Sequence, residues 1–283
     1  MTLTINTNMS AMVVQHNLDS ATDALNLSIK RMTTGYKINS AKDDPAGFAV
    51  STTLETNLSS TSVAQSNLAM GSSLISTVES NYDIVIDHLQ RIRDLTEQGA
   101  NGTYGDDSLE AMKAEVKSRL EEIDRIGNST EFNGIKLLDG SLTNGINLQI
   151  GIDSTANSRL TLAADLFAEV LASTLIGVAD YSTTFASATT PDQWSTGLQN
   201  IDDALKEVTS RQTNLGALQN RLDSAADALV VQFDNLTSSL STIKDADIAT
   251  ESSNYIKAQI LQQASATLLS VANQAPSIAL NLI

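Results

Sequence analysis

Apolar residues recur at alternating steps of three and four along two long stretches of the chain. The first stretch runs from Leu68 to Ile92, and the second runs from Ile201 to Leu240 without a proline. So narrow an apolar stripe is typical of a coiled-coil seam. At 1.5 Å per residue, a stretch of about 40 residues forms a helix of about 60 Å. We predict two long helices that pack against each other.

Between these stretches the pattern predicts one further helix and a small β region. The helix carries five apolar residues on one face: Leu109, Met112, Val116, Leu120 and Ile123. Residues 147–153 (NLQIGID) alternate between apolar and polar, as a half-buried strand does, and residues 158–162 (SRLTL) are the return strand. Residues 168–196 are rich in Ser, Thr and Ala, which indicates a reduced connector. The predicted fold class is mainly α, a long antiparallel coiled-coil-like helical bundle rod with a small β-hairpin region.

Both ends of the chain carry the same steps with smaller side chains. Near the start these positions are Val14, Leu18, Ala21, Leu25, Ser28 and Met32, and near the finish they are Leu261, Ala264, Leu268, Val271 and Ala275. Small residues let helices approach closely, so the two end helices could pair within one molecule. Such a pair buries little surface against its ordering entropy, so we expect its stability to require neighbouring copies.

The charge is distributed in agreement with buried chain ends. The chain has a net charge of −16, yet residues 1–44 hold four acidic and four basic residues, and residues 252–283 hold only Lys257. Neutral, apolar ends suggest burial, whereas the acidic middle excludes nucleic acid as a partner. No stretch approaches 18 consecutive apolar residues, so we expect no membrane insertion. The first ten residues lack the basic start and apolar run of an ordinary secretory signal.

The stretch INSAKDDPAGFAV (38–50) is interpreted as a joint between two helices. Asp44 followed by Pro45 has the form of a helix N-cap with proline at the first helical position, and Asp43 favours the positive end of the helix dipole. Gly47 permits a close backbone approach. A metal-binding pair of carboxylates is the alternative, but no histidine or further acid converges on these residues.

The sequence offers no pattern that predicts an enzyme. The two histidines, His16 and His88, lie on separate predicted helices, and the chain has no cysteine. Nucleotide-binding glycine loops and the nucleophile elbow are also missing. We therefore expect no catalytic residue, no metal and no cofactor. QRIRDL (90–95) is a basic cluster in an acidic protein, and its plain interpretation is a solvated helix face.

Four motifs in the correct order give the chain a close resemblance to bacterial flagellin, the filament subunit of the flagellum. They are INTNMSAM (5–12), TTGYKINSAKDDPAGFAVS (33–51), RLEEIDRIGNSTEFNGIKLLDG (119–140) and the last 41 residues from IKDADIATESSNY onward. The resemblance covers both ends and most of the middle. The family's outer variable domains are nearly absent here, because only residues 168–196 could hold them.

The resemblance implies a domain organisation and a function. Residues 1–44 with 241–283 would form the filament's inner core, with Val14, Leu18, Leu25, Met32, Leu261, Ala264, Leu268 and Val271 in the assembly core. Residues 45–240 would form the outer helical rod with the hairpin. The implied protein is a homopolymer subunit for swimming motility, located outside the cell and exported without a cleaved signal. The implied partners are the flagellar export apparatus, an export chaperone, the filament cap and the hook-junction proteins.

The resemblance also gives QRIRDL a second interpretation. In many flagellins the matching helix face is recognised by Toll-like receptor 5, and the corresponding positions here are Gln90, Arg91, Leu95 and Glu115. Two other functions remain open at this point. A flagellar hook–filament junction protein would share the end helices, and an enzyme embedded in a flagellin would need a catalytic motif between about 165 and 197.

Overall fold

The structure, a computed structural model, describes residues 7–177 and 190–280, with side chains as far as Gln274. Within these residues, six α-helices run in chain order: α1 (Met9–Thr34), α2 (Pro45–Gly99), α3 (Asp106–Ser129), α4 (Ala172–Leu175), α5 (Pro191–Lys244) and α6 (Ile248–Leu280). Four short strands lie between α3 and α4: β1 (Glu131–Phe132), β2 (Ile135–Lys136), β3 (Ile146–Gln149) and β4 (Arg159–Leu162). The mainly α fold with long helices is therefore confirmed.

The two long helices have the lengths that the periodic stretches require and run antiparallel. Helix α2 has 55 residues and α5 has 54. Asp83 of α2 accepts a hydrogen bond from Gln212 of α5, and Glu79 accepts one from Gln219. Because residue numbers fall along α2 as they rise along α5, the helices point in opposite directions.

The β region consists of two hairpins. Strands β1 and β2 pair antiparallel across Asn133 and Gly134, whose φ angles of 50° and 78° are those of a tight two-residue turn. Strands β3 and β4 pair from Ile146 opposite Leu162 to Gln149 opposite Arg159. The second hairpin is the one that the alternating pattern predicts. The sequence pattern does not define the first hairpin, because two-residue strands are too short to show alternation.

The chain divides into two compact units. The terminal unit is Met1–Leu58 with Asp234–Ile283, and the central unit is Ser59–Phe233. The boundaries predicted at residues 44 and 241 lie within the terminal unit, and that division by role in the filament stays a prediction. Part of the predicted connector 168–196, and most of its Ser/Thr-rich stretch, lies outside the described residues.

The central unit has a complete hydrophobic core. Six α2 residues on the predicted stripe are fully buried: Ile75, Val78, Tyr82, Val85, Leu89 and Ile92. The inward face of α3 and the α5 stripe meet them through Val116, Leu120, Ile123, Ile201, Val208 and Leu215, all at 0% exposure. Large side chains buried this fully are worth about 1.5–3 kcal/mol each.

Two polar side chains fix the segment that returns from the hairpins. The Tyr82 hydroxyl donates to the carbonyl of Leu166 at 2.9 Å, and the Arg211 guanidinium donates to the carbonyl of Ala168 at 3.2 Å. Burial raises the pKa of the Tyr82 hydroxyl, while the nearby Arg211 charge opposes that shift. These two bonds satisfy the carbonyls of Leu166 and Ala168 without a strand partner.

The packing of two helical glycines predicts opposite responses to alanine. A Cβ on Gly127 would lie 2.2 Å from the backbone oxygen of Val170, whereas a Cβ on Gly216 would meet nothing within 4 Å. Gly127→Ala should lower the free energy of unfolding by about 1–3 kcal/mol through overpacking. Gly216→Ala should raise it by roughly 0.5–1 kcal/mol, because alanine favours helix.

The single tryptophan, Trp194, is fully buried in the central unit, so urea unfolding followed by its fluorescence measures both variants. Equal stability of Gly127→Ala and Gly216→Ala would contradict the described packing.

Candidate assembly interface

Helices α1 and α6 pair antiparallel in the terminal unit. The side-chain Oδ1 of Asn8 caps α1 by accepting a hydrogen bond from Ala11 N at 3.1 Å. The Nδ2 of the same side chain donates to the carbonyl of Ala272 at 2.8 Å. Further along α1, Thr22 accepts from Gln262 at 3.1 Å. These contacts fix the register of the two chain ends.

The most buried positions on the faces that α1 and α6 turn toward each other are small residues. Ala21 and Ser28 of α1 and Ala258 and Ser265 of α6 are each at most 9% exposed, and each pair is seven residues apart. Such a spacing keeps the small residues on one face of each helix. Small side chains allow close approach but bury little apolar area, so these four positions contribute little apolar stabilisation to the seam.

One ion pair crosses the seam, and the sequence interpretation missed it. Arg31 lies 3.7 Å from Glu251, whose side chain is only 8% exposed. Glu251 shares the seven-residue spacing with Ala258 and Ser265. The seven-residue spacing could have indicated that Glu251 lies on the seam, but a pattern of apolar residues does not include a glutamate.

The structure places the predicted assembly residues on two different surfaces. Those of α1, namely Val14, Leu18, Leu25 and Met32, are half-buried on the stripe that contains Ala21 and Ser28. Those of α6 are exposed: Ala264, with Leu261 at 48%, Leu268 at 56% and Val271 at 60%. The steps of three and four on α6 therefore do not mark the face that meets α1. The assignment of both sets to the filament core stays a prediction.

Large apolar side chains cover the outward sides of this helix pair. They are Met9, Met12, Val13, Leu27 and Ile29 of α1 and Ile256, Ile260, Leu261, Leu268 and Val271 of α6, exposed between 37% and 64%. Exposed apolar residues scattered singly need no explanation, but ten of them on one pair of helices favour an interaction surface. The terminal unit thus presents a surface suited to further helices.

The joint between α1 and α2 is built from capping hydrogen bonds. Helix α1 ends at Thr34, and the next residue, Gly35, has a φ of 75°. Asp44 accepts from the backbone of Ala46 and Gly47 at 3.1 and 3.0 Å, and therefore caps α2 directly before Pro45. A Cβ on Gly47 would lie 2.4 Å from the Asp44 carboxylate, so glycine is needed for the close approach.

Asp43 closes the preceding turn. Its carboxylate accepts from the backbone N–H of Asn39 at 3.0 Å and of Ser40 at 2.9 Å. The bond from Asn39 is the main cause that lowers the Asp43 pKa. This stabilisation is present above the ordinary Asp pKa and is lost as the pH falls through the lowered value.

A second joint lies between α5 and α6 and pairs with the first. Asp247 caps α6 by accepting from Ala249 N at 2.9 Å. The backbone N–H of Lys37 donates to Lys244 O, and that of Ala246 donates to Gly35 O, both at 2.8 Å. Lys244 also forms an ion pair with Glu55 and lies 4.5 Å from the centre of the Tyr36 ring. The two joints form one hydrogen-bonded element.

The QRIRDL motif lies on the central unit, where α2 meets α3. Arg91 donates from Nε and Nη2 to the two oxygens of Glu115 at 3.0 and 3.3 Å, and Gln90 is exposed beside it. The bond from Arg91 is the main cause that lowers the Glu115 pKa. Leu95 differs from the expectation, because it is 3% exposed and packs in the core. The structure thus brings Gln90, Arg91 and Glu115 together at the surface without Leu95.

No described helix is long and apolar enough to cross a membrane. Within residues 7–177 and 190–280, no group of three or more acidic or histidine side chains could hold a metal ion. An uncovered apolar surface on paired chain ends, attached to an acidic helical bundle, defines a class of protein that assembles with other helices.

Comparison with known proteins identifies the family within that class. The bacterial flagellin N-terminal helical region matches residues 5–143, and the bacterial flagellin C-terminal helical region matches residues 198–283. The chain therefore belongs to the bacterial flagellin family, which confirms the resemblance carried by the four motifs.

Similar proteins cover nearly the whole chain. The flagellar filament 30.7 kDa core protein of Treponema maltophilum is 33% identical over 275 residues, which is 95% of each chain. The flagellin of Bacillus subtilis (strain 168) is 33% identical and covers 99% of each chain. A solved structure described as that of a flagellar hook-associated protein from Vibrio parahaemolyticus shares the fold, with a TM-score of 0.60, 20% identity, and coverage of 72% of this chain and all of the other.

The ion pair between Arg31 and Glu251 generates a testable prediction about filament stability. Arg31→Met leaves the buried Glu251 carboxylate without its cation, which costs about 1–3 kcal/mol. Because 1.4 kcal/mol is about tenfold in an equilibrium constant, the critical concentration for polymerisation should rise by about fivefold or more.

The matched control is the double variant Arg31→Met/Glu251→Gln, which removes the charge together with its partner. It should recover most of the loss, because a neutral amide is cheaper to bury than a carboxylate. Additive effects of the two single substitutions would show that the residues are not coupled.

Proposed function

We propose that this chain is the structural subunit of an extracellular flagellar filament that drives swimming motility. Helices α1 and α6, with residues 1–44 and 241–283, form the filament's inner core, and residues 45–240 form its outer part. The observation that carries the proposal is the contrast between the two sides of the terminal helices. The most buried positions of their mutual seam are small residues, while ten large apolar residues of the two helices stay between 37% and 64% exposed.

This contrast supports ordering of the terminal helices on assembly. An isolated α1–α6 pair has a thin seam to offset the entropy of ordering two helices of 26 and 33 residues. Neighbouring subunits supply the missing contacts, because each large side chain that they bury contributes about 1.5–3 kcal/mol. Assembly is then cooperative, and a repeated contact that does not close on itself gives a helical filament.

The charge distribution supports a subunit that is transported before it assembles. The acidic residues lie mainly between residues 45 and 251, away from the neutral ends. Mutual repulsion between these acidic regions keeps free subunits from associating nonspecifically. The resemblance to flagellins implies the remaining partners: the flagellar export apparatus, a chaperone for the exported chain, the filament cap and the hook-junction proteins. No cleaved signal is needed for that route.

A hook–filament junction protein is the alternative within the same class. It is favoured only by the fold shared with the hook-associated protein, and a fold shared at 20% identity does not fix the role. The near-complete match to a filament core protein and to a flagellin supports the filament subunit. Formation of long filaments from purified protein separates the two functions.

A second function, recognition of the free subunit by Toll-like receptor 5, is supported by the Arg91–Glu115 pair. The pair joins α2 to α3 in a two-pronged geometry, with the side chains 43% and 36% exposed. Gln90 lies beside it on the exposed side of α2. Leu95 supports this surface from below by packing in the core.

The assembly proposal is tested by electron microscopy of purified protein. We expect long filaments from the full chain and none from a variant that lacks residues 1–40, because the truncation removes α1. Leu268→Glu should also abolish filaments, since it places a charge where the proposal buries an apolar side chain.

Leu268→Met is the matched control, because it keeps an apolar side chain of similar volume and should still form filaments. Trp194 fluorescence confirms in each case that the central unit remains folded. Filaments of normal length from Leu268→Glu would remove α6's outward face from the proposed interface.

The receptor proposal is tested by Arg91→Asp in the free subunit. This substitution breaks the pair with Glu115 and reverses the charge, so receptor signalling in reporter cells should fall by about tenfold or more. Arg221→Asp is the matched control, because Arg221 is an exposed arginine on α5, and it should leave signalling unchanged. Undiminished signalling by Arg91→Asp would refute receptor recognition through this surface.

A further inference from the structure

Five exposed apolar residues form a collar at one end of the α1–α6 pair. Asn8 meets Ala272 at 2.8 Å, so the first turn of α1 lies beside the α6 segment that precedes Ala272. The apolar collar consists of Met9, Met12, Val13, Leu268 and Val271, exposed between 56% and 64%. Met9 and Met12 are three residues apart and therefore share one side of α1.

The two methionines give this collar a chemical property that the other apolar residues lack. A thioether is readily oxidised to a sulfoxide, and the chain has no cysteine thiol to compete for an oxidant. Of the methionines whose side chains are described, Met9, Met12 and Met70 are 64%, 62% and 59% exposed. Met32 and Met112 are half-buried, and Met112 packs on the central core. Oxidation should therefore begin at the three exposed positions.

We propose that Met9 and Met12 are an oxidation site through which oxidants of the peroxide class block addition of the subunit to a filament. The sulfur lone pair attacks one peroxide oxygen, an S–O bond forms and the O–O bond breaks. The sulfur is oxidised by two electrons, and the other oxygen leaves as water after taking up the proton of the transferred oxygen. The result is a polar sulfoxide at a position that the proposed filament buries.

This inference rests on the proposed function, because a sulfoxide blocks assembly only if the collar becomes buried between subunits. Burial of a polar group without a hydrogen-bond partner is unfavourable, and the collar offers apolar neighbours. The modification is reversible, since methionine sulfoxide reductases restore the thioether. The collar is thus a redox-sensitive part of the assembly interface.

Peptide mass mapping tests the site itself. Free subunits are treated with hydrogen peroxide, and the gain of one oxygen at each methionine is followed with time. We expect Met9, Met12 and Met70 to be oxidised before Met112, which packs on the central core, and we expect Met9 and Met12 to be protected in assembled filaments. Oxidation of Met112 ahead of Met9 and Met12 would overturn the proposal.

Filament formation tests the consequence. Oxidised wild-type protein should lose filament formation under conditions in which untreated protein forms filaments. Oxidised Met9→Leu/Met12→Leu should retain it, because leucine has a similar volume and no thioether. Met70→Leu, the matched control, should remain as sensitive as wild type. Continued assembly of oxidised wild type, or loss of assembly by the oxidised double variant, would overturn the proposal.

Reduction of the sulfoxides in oxidised wild-type protein tests the same consequence, and its result does not depend on how the double variant folds. Oxidised wild-type protein is treated with methionine sulfoxide reductases for both epimers and dithiothreitol, and Met9 and Met12 are checked by mass. Filament formation should return with the thioethers, and its failure to return would also overturn the proposal. If untreated wild type forms no filaments, the proposed function itself fails, which distinguishes the two results.

Discussion

The small side chains between α1 and α6 are the constraint on which the rest of the terminal unit depends. Ala21 and Ser28 against Ala258 and Ser265 bring the helix backbones close together. Larger apolar residues on the same stripe of α1, such as Leu18 and Leu25, stay half-buried, and those on the other faces of both helices are exposed. The same choice of side chains therefore makes the internal contact weak and the external surface apolar. Dependence on neighbouring molecules follows from that arrangement.

The paired joints make the two chain ends act as one element within the terminal unit. The joint between α1 and α2 is hydrogen-bonded through its backbone to the joint between α5 and α6. The N–H of Lys37 donates to Lys244 O, and the N–H of Ala246 donates to Gly35 O. Each following helix is capped by its own aspartate, because Asp44 accepts from the amide of Ala46 in α2 and Asp247 accepts from the amide of Ala249 in α6. Ordering of one terminal helix thereby favours ordering of the other.

Most of the fold could be predicted from the sequence, because large apolar residues at regular steps are buried when helices pack with those residues facing each other. The stripe from Ile75 to Ile92 is buried throughout, and Asp44 before Pro45 caps a helix as its residue types favour. Prediction was poorer where side chains are small or the contact is distant in the chain. Leu261 to Val271 carries the stronger periodicity, yet Glu251, Ala258 and Ser265 face α1, because periodicity shows amphipathicity and not which face meets which helix. The Arg91–Glu115 pair depends on how α2 packs against α3, which no local pattern encodes.

The central and terminal units differ in how far one chain can complete its own hydrophobic core. In the central unit, Tyr82, Trp194 and many aliphatic residues reach 0% exposure within a single molecule. In the terminal unit, Met12 and Val271 remain more than half exposed after the helices have paired. Because apolar stabilisation grows with the area removed from water, the central unit gains most from its own core, and the terminal unit has more to gain from contact with other chains. One sequence can in this way divide its large apolar residues between an internal core and a surface left for contact with other chains.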